Sequence, residues 1–443
     1  MVTLNKYRGN SRLAQTLSRS WNDILDAGIS RRARRPCQYD AYLPDRLADW
    51  AISLPADVAA DVSDAERAVA EMNSLGPQLA NLEAVARLLL RAESVASSRI
   101  EGLEVGVGRL ARAEAAKEAG VSITDVTAEA VLGNVEAMEL AVTELAAKRE
   151  LTLDDLLALH GALMRHTSTP ELGGQIRTVQ NWIGGTDYNP CGADFVPPPP
   201  EYVPDLLDDL VSFLNSSDFP PVAQAAIAHA QFETIHPFAD GNGRIGRALI
   251  HVVLRRRGLA PRYVPPISLV LATDSRDYIN GLTRFRYTGD QTSTQASEGV
   301  VRWIGTFASA TLRATEDARQ IATDIDALEM RWRDQVGRIR KNSAADALLR
   351  VLPSAPIVTV STAARLIGRS FQAADLAVGQ LTDAGVLRQI KLGRRNRAFE
   401  ATSVIEALTT IERRLASPAR DTRNAPPVRR VPLRRPTAAS IRP

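Results

Sequence analysis

One segment constrains this chain more than any other, the run from His236 to Arg247, which reads HPFADGNGRIGR. It lies between two apolar, helix-like runs, 223–235 and 248–254. A Gly-Asn-Gly turn at the start of a helix exposes backbone N–H groups and the positive end of the helix dipole, so it suits an anion. We therefore expect two buried helices joined by an anion-binding turn.

The side chains of this segment indicate which anion the turn would bind. Arg244 and Arg247 fall on one face of the second helix and can reach outer phosphate oxygens. His236 is the only base near neutral pH in the segment, and Asp240 is a hard oxygen ligand for Mg²⁺. The pattern predicts a nucleotide-triphosphate site with its own general base. The other residues predicted to contact the nucleotide are Gly241, Asn242, Gly243, Ile245 and Gly246.

The same segment resembles the core motif of the Fic family, HxFx[D/E]GNGRxxR, and matches it at every fixed position. The resemblance implies a mainly α-helical bundle with a short β-hairpin flap, over roughly residues 40–335. It also implies transfer of AMP from ATP to a Tyr, Thr or Ser hydroxyl of a protein target, the chain itself included. In that reaction His236 would be the general base, and Asp240 would hold Mg²⁺.

A second motif lies upstream, at the end of an amphipathic run from Leu79 to Ile100. Ser97, followed by Glu101 and Gly102, resembles the [S/T]xxxE[G/N] inhibitory motif of Fic proteins. The resemblance implies that Glu101 pairs with Arg247 and takes the place of a γ-phosphate. Two alternatives stay open. In the first, Glu101 is only an exposed residue at a helix C-terminus; in the second, it aligns a water that removes AMP, as in some relatives.

Between the two motifs the chain changes character over residues 173–185, where glycine pairs bound a β-prone stretch. Ile176–Ile183 is interpreted as a strand with a partner near Ala193–Val196. It resembles the flap hairpin of Fic proteins, in which an edge strand holds the target by main-chain pairing. The residues expected to contact the target are Asn181, Trp182, Ile183 and Gly184.

A helix is also predicted over Ile267–Leu282, and it carries a further candidate site residue. Tyr278 lies where family members often have an aromatic residue near the nucleotide base. The second aromatic residue is replaced here by Ile279. Four histidines without metal-like spacing are interpreted as structural or surface residues: His160, His166, His229 and His251.

A second module is predicted from Lys341 onwards. A short helix, a turn, a longer helix at 371–384 and a hairpin at 385–400 resemble a winged helix-turn-helix domain. Such modules bind DNA or serve in protein contacts and homodimers, and the sequence leaves these roles open. The predicted organisation is an N-terminal helical region with the inhibitory helix (1–105), a Fic catalytic domain (106–335), the winged-helix module (341–412) and a disordered Arg/Pro-rich tail (413–443).

Charge and cysteine content bear on partners and compartment. The net charge is +3, but residues 413–443 hold nine arginines and one aspartate, or +8, which leaves −5 for the rest. Overall basicity therefore gives no argument for nucleic acid. We expect no membrane span, signal peptide, disulfide framework or metal cluster, because the apolar runs are short and Cys37 and Cys191 are the only cysteines. A reducing, cytoplasmic setting is expected.

Two other functions fit parts of the sequence. A DNA-binding regulator could keep the Fic domain only as a nucleotide sensor, although the intact His236 argues against it. A Doc-like kinase is disfavoured because the Gly-Asn-Gly-Arg string is intact. Specific operator binding without nucleotide transfer would favour the regulator.

Overall fold

The structure is a computed structural model that describes residues 13–22, 36–47, 52–74, 82–186, 188–392 and 396–415. These residues form a mainly α-helical fold with small antiparallel sheets, which confirms the predicted fold class. The predicted tail lies outside the described residues except at its start, because the last helix continues to Leu415. Arg394 and Arg395 of the predicted hairpin also lie outside them.

Strands β1 (Leu13–Trp21) and β2 (Cys37–Leu43) form an antiparallel pair at the start of the described chain. Leu17 pairs with Ala41, and the short strand β3 (Gly289–Asp290) adds to β1, so the strand order is β2-β1-β3. The third strand lies far along the chain, so local patterning could not reveal this sheet.

Eleven helices of the described chain build the bundle that positions the site. Most have an apolar face toward one shared core, and three have side-chain caps that fix their start, including Ser293 at the start of α11. Asp125 accepts from the backbone N of Ala128 at 3.1 Å, and Thr152 and Asp155 form a capping box. The helices are α1 (Ala56–Ser74), α2 (Leu82–Ile100), α3 (Val107–Glu118), α4 (Val126–Leu140), α5 (Leu153–Met164), α6 (Val203–Asn215), α7 (Pro221–Ile235), α8 (Asn242–Arg256), α9 (Ile267–Thr273), α10 (Ser275–Phe285) and α11 (Thr294–Val336).

Helices α7 and α8 lie at the centre of the bundle. Every residue of α7 from Val222 to Ile235 is buried, so its apolar residues occur on all sides of the helix and do not form a single stripe. In α8 burial extends from Asn242 to Leu254. These two helices hold the segment that joins them inside the molecule.

Two helix predictions need correction. The single helix predicted over Ile267–Leu282 is two helices, α9 and α10, which meet at Asp274. Asp274 has φ −105° and ψ 44°, which is not helical, and so the chain turns there. Helix α3 was not predicted at all, because alanines and charged residues give its sequence only weak apolar periodicity.

The C-terminal part contains α12 (Ala344–Val351), α13 (Val360–Ile367), α14 (Phe371–Asp383), α15 (Thr402–Leu415) and the strands β4 (Ile357–Val358), β5 (Arg388–Leu392) and β6 (Asn396–Glu400). The strands form an antiparallel sheet in the order β4-β6-β5, with Ile390 paired to Ala398. The helix, turn, helix and hairpin follow one another as expected, while membership of the winged-helix class stays a prediction.

Helix α11 connects the two parts. Its first half packs in the bundle core through Trp303 and Phe307, and its second half packs in the C-terminal core through Ile321 and Trp332. Helix α2 also contributes to this second core, through residues that include Leu88 and Leu89. The predicted inhibitory motif, which begins at Ser97 within α2, therefore lies at the end of a helix that the bundle and the C-terminal part share.

The structure joins Cys37 of β2 to Cys191 by a disulfide, with the two Cα atoms 6.2 Å apart. The expectation that the cysteines form no disulfide is therefore wrong. The two residues are 154 positions apart in sequence, so only the fold brings them together. Among the described residues, no helix has the length and apolar character needed to cross a bilayer.

Candidate active site

The segment between α7 and α8 forms a tight loop. His236 adopts a left-handed conformation with φ 48°, which ends α7, and Pro237 after it does not continue the helix. Gly241 has φ 81°, a value that glycine adopts without steric cost, and it caps the N-terminus of α8. The loop thus presents His236 and the first backbone N–H groups of α8 on the same side of the bundle.

Two side chains brace this loop from inside. Asn242 accepts from the backbone N of Phe238 at 2.8 Å and donates to its carbonyl at 2.8 Å. His160 stacks on the Phe238 ring with centroids 3.7 Å apart, and its Nε2 lies 3.0 Å from the carbonyl oxygen of Asp240. The Asn242 side chain therefore supports the loop. His160, interpreted as structural or surface from the sequence, is a buried structural residue.

The segment predicted as a strand over Ile176–Ile183 is mostly irregular, which corrects that prediction. Arg177 donates to the carbonyl of His236 at 2.8 Å, and Asn181 donates to the carbonyl of Phe238 at 3.0 Å. These side-chain contacts attach the segment to the loop between α7 and α8. Within the described residues, its backbone pairs with the predicted partner through Ile183, whose N–H donates to Phe195 at 2.8 Å and whose carbonyl accepts from Asp194 and Phe195 at 2.9 and 3.1 Å.

The other residues expected to contact the target are Trp182, Ile183 and Gly184. The indole of Trp182 donates to the carbonyl of Thr186 at 2.7 Å, and its ring meets the edge of Trp21 with centroids 5.4 Å apart. Ile183 is 37% exposed, so an edge is available beside it. Gly184 has φ 75°, and a Cβ there would overlap the Asp194 carboxylate. Their role in holding a target stays a prediction.

His236 has the electrostatic properties of a neutral base. Burial lowers the pKa of its imidazole to about 4, although the Glu101 carboxylate acts to raise it. Arg177 and Arg286 add to the lowering. The side chain remains 18% exposed, so it is open to a reacting group. At neutral pH the imidazole is therefore uncharged and free to accept a proton.

The first turn of α8 is an anion site by its geometry. The side chain of Arg244 is 4% exposed, and its Nε and Nη1 have no hydrogen-bond partner among the described residues. A buried guanidinium with unpartnered N–H groups calls for an acceptor, because leaving them unpaired is costly. Gly243 has no side chain in this turn, and a Cβ there would overlap Oε1 of Glu101. The Glu101 carboxylate therefore lies in the anion position.

Arg247 anchors this carboxylate. Its Nη2 donates to Oε1 of Glu101 at 2.6 Å and to the carbonyl of Ser97 at 2.9 Å, while its Nε donates to Oγ of Ser97 at 2.9 Å. Burial acts to raise the pKa of Glu101, but the charges of Arg247 and Arg244 outweigh it and hold that pKa below its ordinary value. Both residues of the predicted inhibitory motif thus contact Arg247. Their inhibitory role stays a prediction.

Three other predicted nucleotide contacts point into the protein. Ile245 is buried in the bundle core. Gly246 faces α7, where a Cβ would lie 2.7 Å from Oε1 of Glu233 and 3.1 Å from the Phe232 ring. Tyr278 is 5% exposed, and its hydroxyl lies 2.9 Å from Nε2 of the buried His229. Contact of Tyr278 with a nucleotide base stays a prediction.

Asp240 fits the expected role in binding Mg²⁺. Its carboxylate is 54% exposed, with Arg244 at 3.3 Å, and Oδ1 accepts from the backbone N of Gly241 at 2.6 Å. No cluster of three or more His, Cys, Asp or Glu suited to a metal occurs within the described parts of the chain. A single carboxylate at the edge of an anion site suits Mg²⁺, which takes its other ligands from phosphates and water.

Sequence reasoning missed several residues of this site. Arg177 and His160 bind the loop from other parts of the chain, Glu233 lies buried beside His236, and the half-buried Arg286 acts on the pKa of His236. For Glu233 a signal was present, since it is the single carboxylate in the helix that precedes the motif. For Arg177 and Arg286 the sequence holds no comparable signal.

Comparison with known proteins shows what the part of the chain that carries this site is similar to. The profile described as "Fic/DOC family" matches residues 150–254, and that described as "Fic/DOC family N-terminal" matches residues 59–143. Protein adenylyltransferase fic-1 of Caenorhabditis elegans is 34% identical over 140 residues, which are 30% of this chain and 26% of that protein. Protein adenylyltransferase Fic of Drosophila virilis is 38% identical over 138 residues, again 30% of this chain and 26% of that protein. The match thus spans about a quarter of these relatives.

Solved structures of Fic proteins resemble this chain more distantly. A Fic family protein from Desulfovibrio desulfuricans G20 superposes with a TM-score of 0.49 at 20% identity, over 79% of this chain and 97% of that one. Fic-1 (aa134 - 508) of C. elegans gives 0.43 at 24% identity, over 59% and 74%.

Proposed function

We propose that this chain, which carries a Fic/DOC family domain at residues 150–254 and the family's N-terminal segment at residues 59–143, is a protein adenylyltransferase. It transfers AMP from ATP to a Tyr, Thr or Ser hydroxyl of a protein. The observation that carries the proposal is the neutral, half-buried His236 beside an anion turn whose Arg244 has unpartnered N–H groups among the described residues. The names of the matched relatives support the same reaction.

The reaction follows from the order of groups around the turn. The target hydroxyl loses its proton to His236, and its oxygen forms a bond to the α-phosphorus of ATP. The bond from that phosphorus to the bridging oxygen breaks, and pyrophosphate leaves with the electron pair. Gly241 and Gly243 let the α8 N-terminus approach the phosphates, while Arg244 and Arg247 bind the outer phosphate oxygens.

Mg²⁺ would be held by Asp240, where it would neutralise charge on the phosphates. The flap supplies the second substrate site in this proposal. Its edge near Ile183 pairs with the main chain of the target, and the contacts of Arg177 and Asn181 with the loop carbonyls keep that edge in register with His236.

Glu101 inhibits transfer in this proposal. Its carboxylate lies against Arg247 and over Gly243, so a γ-phosphate meets like charge and overlap at the same place. ATP is then held out of line with the attacking hydroxyl. Ser97 strengthens the block, because it binds the same guanidinium at two points.

The C-terminal module contacts protein in this proposal, in preference to DNA. The exposed face of α14 includes Phe371, Asp375, Leu376 and Asp383. Leu376 is 76% exposed and Phe371 56% exposed, which favours an apolar partner. The two carboxylates on the same face would be repelled by DNA phosphates.

The compartment also belongs to the proposal, and it is open to test. A cytoplasmic setting was expected from the cysteine count, yet disulfides such as Cys37–Cys191 persist mainly in oxidising compartments. Alkylation of cells before lysis, followed by mass spectrometry of the two cysteines, distinguishes the reduced from the bonded state.

The deciding experiment for the activity uses the purified full chain. Wild-type and Glu101→Gly proteins are incubated with α-labelled ATP and Mg²⁺, alone and with a lysate. We expect label on protein, and a mass gain of one AMP on the labelled peptide. No label with either protein and in either mixture would refute the proposal.

A further inference from the structure

The proposed reaction gives no role to the buried carboxylate of Glu233, which lies on the last turn of α7. Its side chain is 8% exposed, and Oε2 lies 3.8 Å from Nδ1 of His236. Neither Oε1 of Glu233 nor Nδ1 of His236 has a hydrogen-bond partner of ordinary geometry among the described residues. A buried polar atom left unpaired costs about 1–3 kcal/mol. Two such atoms on adjoining side chains therefore need a physical reason.

The fold makes space for this carboxylate. A Cβ at position 246 would lie 2.7 Å from Oε1 of Glu233, so the glycine there accommodates the carboxylate. On either side of it, Phe232 and Ile235 are fully buried hydrocarbon. An acidic side chain in such surroundings destabilises the fold unless a partner offsets the loss of hydration. The only ion-pair contact of Glu233 in the described chain is with His236.

Charged groups from several elements surround the pair. Burial raises the pKa of Glu233 to about 7, and Glu101 adds to this, whereas Arg247 of α8 and Arg286 after α10 act to lower it. His236 is subject to Glu101, Arg177 and Arg286, and the backbone carbonyl of Glu233 acts to raise its pKa. The backbone carbonyl of Glu233 thus acts on this imidazole, while the Glu233 carboxylate lies 3.8 Å from its Nδ1.

We propose that Glu233 is the positioning residue for His236: its carboxylate accepts a hydrogen bond from Nδ1–H, so that Nε2 keeps its lone pair for the incoming hydroxyl. This inference rests on the proposed function and adds to it the residue that orients the base. Hydrogen bonds of catalytic groups are often long before substrate binds and shorten in the reacting complex. The 3.8 Å contact is of this kind. Once Nε2 takes the proton, the carboxylate faces a cation and stabilises it.

The tautomer of His236 tests the proposal without any substrate. In protein labelled with ¹⁵N-histidine, two-bond ¹H–¹⁵N spectra distinguish Nδ1–H from Nε2–H imidazoles, and the His236 signals are those that His236→Ala removes. We expect Nδ1–H in wild type, a gain of Nε2–H in Glu233→Ala, and Nδ1–H retained in Glu233→Gln, whose amide oxygen still accepts. A Glu233→Ala protein that keeps the wild-type tautomer overturns the proposal.

Kinetics supply the second readout, in the Glu101→Gly background. We expect Glu233→Ala to lower kcat about 10- to 100-fold, which is part of the contribution of a general base, with KM for ATP unchanged. The kcat of Glu233→Gln should lie between that of Glu233→Ala and that of the Glu101→Gly parent. Glu329→Gln is the matched control, because Glu329 is 5% exposed and lies on α11 away from the site.

The outcomes separate the two claims. If the Glu101→Gly protein transfers no AMP, the proposed function fails while the tautomer spectra still decide the role of Glu233. If kcat is equal in the Glu233→Gln and Glu233→Ala proteins and their parent, the positioning role is refuted. Should Glu233→Ala not fold, Glu233→Gln decides alone, through a lower kcat with Nδ1–H retained.

Discussion

Oε1 of Glu101 lies 2.6 Å from Nη2 of Arg247, at the end of α2 and the first turns of α8. The contact joins two motifs that are far apart in the sequence. Arg247 is buried, with a side chain 1% exposed, whereas the Glu101 side chain is 35% exposed. The guanidinium is thus fixed, and the carboxylate is the partner that can leave.

Replacing the carboxylate should activate the protein. We expect Glu101→Gly to raise AMP transfer about 10- to 100-fold, within the usual range for coupling between two sites, because ATP then meets a free Arg247. Glu104→Gly is the control, since Glu104 is exposed and close in sequence. Initial rates with α-labelled ATP give the comparison. Equal rates for Glu101→Gly and wild type would exclude inhibition by this residue.

Removing the base should stop the reaction. In the Glu101→Gly background, His236→Ala should lower kcat by about 10²- to 10⁴-fold, since both ring nitrogens of the other neutral imidazole at the loop, that of His160, are hydrogen-bonded. Binding of ATP, followed by calorimetry, should change little because the phosphates are bound by α8. Label incorporation at the rate of the parent protein would remove His236 from the mechanism.

Filling the anion turn should prevent nucleotide binding. A Cβ on Gly243 would overlap Oε1 of Glu101 and lie 2.9 Å from Nη1 of Arg247. We expect Gly243→Ala to weaken ATP binding at least 10-fold even when Glu101 is glycine. Gly106→Ala is the control, because a Cβ there meets nothing within 4 Å. Retained affinity in Gly243→Ala would show that phosphate binds elsewhere.

Acid should destabilise the fold through its buried histidines. Burial lowers the pKa of His160 to about 4 and that of His229 to about 3. The unfolded chain therefore binds more protons as pH falls below about 6.5, and stability falls through that window by about 1.4 kcal/mol per pH unit for each histidine. Glu233 has the opposite sign, since a raised carboxyl pKa favours folding at lower pH.

Thermal melts from pH 6.5 to 4.5 test this. We expect Tm to fall in wild type and to fall less in His229→Gln, which cannot take up the proton. His166→Gln serves as the control because His166 is partly exposed. If the Tm of His229→Gln depended on pH as strongly as that of wild type, buried His229 would not be a source of the acid sensitivity.

The α14 face should mediate self-association or binding of another protein. We expect Leu376→Glu to leave AMP transfer unchanged and to abolish any dimer seen by light scattering, because it places a further carboxylate on the exposed apolar face. Gel shifts with random and genomic DNA should show no binding that depends on this face. Operator-specific binding lost in Leu376→Glu would instead favour the DNA-binding regulator.

The sequence was informative where structure depends on local signals. The turn glycines and the apolar runs located α2, α7 and α8, because these signals arise from contacts within a few residues. The mainly helical class and the pairing of Glu101 with Arg247 came instead from the resemblance to Fic proteins, since the two residues are 146 positions apart.

Other features depend on contacts between distant residues, and they left no pattern. Arg177 binds carbonyls of a loop about sixty positions away, so its segment looked like a strand by composition but was held as an irregular chain. The bond between Cys37 and Cys191 and the stacking of His160 on Phe238 are of the same kind. Neither contact follows a regular spacing in the sequence from which it could be predicted.

Helix α11 has a practical consequence for anyone who shortens this protein. A chain cut at Lys341 would keep the whole helix but lose the partners of its second half. Ile321, Ile325 and Trp332, all now within the C-terminal core, would then face water. Such a fragment should aggregate because of this exposed apolar surface. A loss of activity after truncation would therefore reflect poor solubility before it reflected the loss of a catalytic residue.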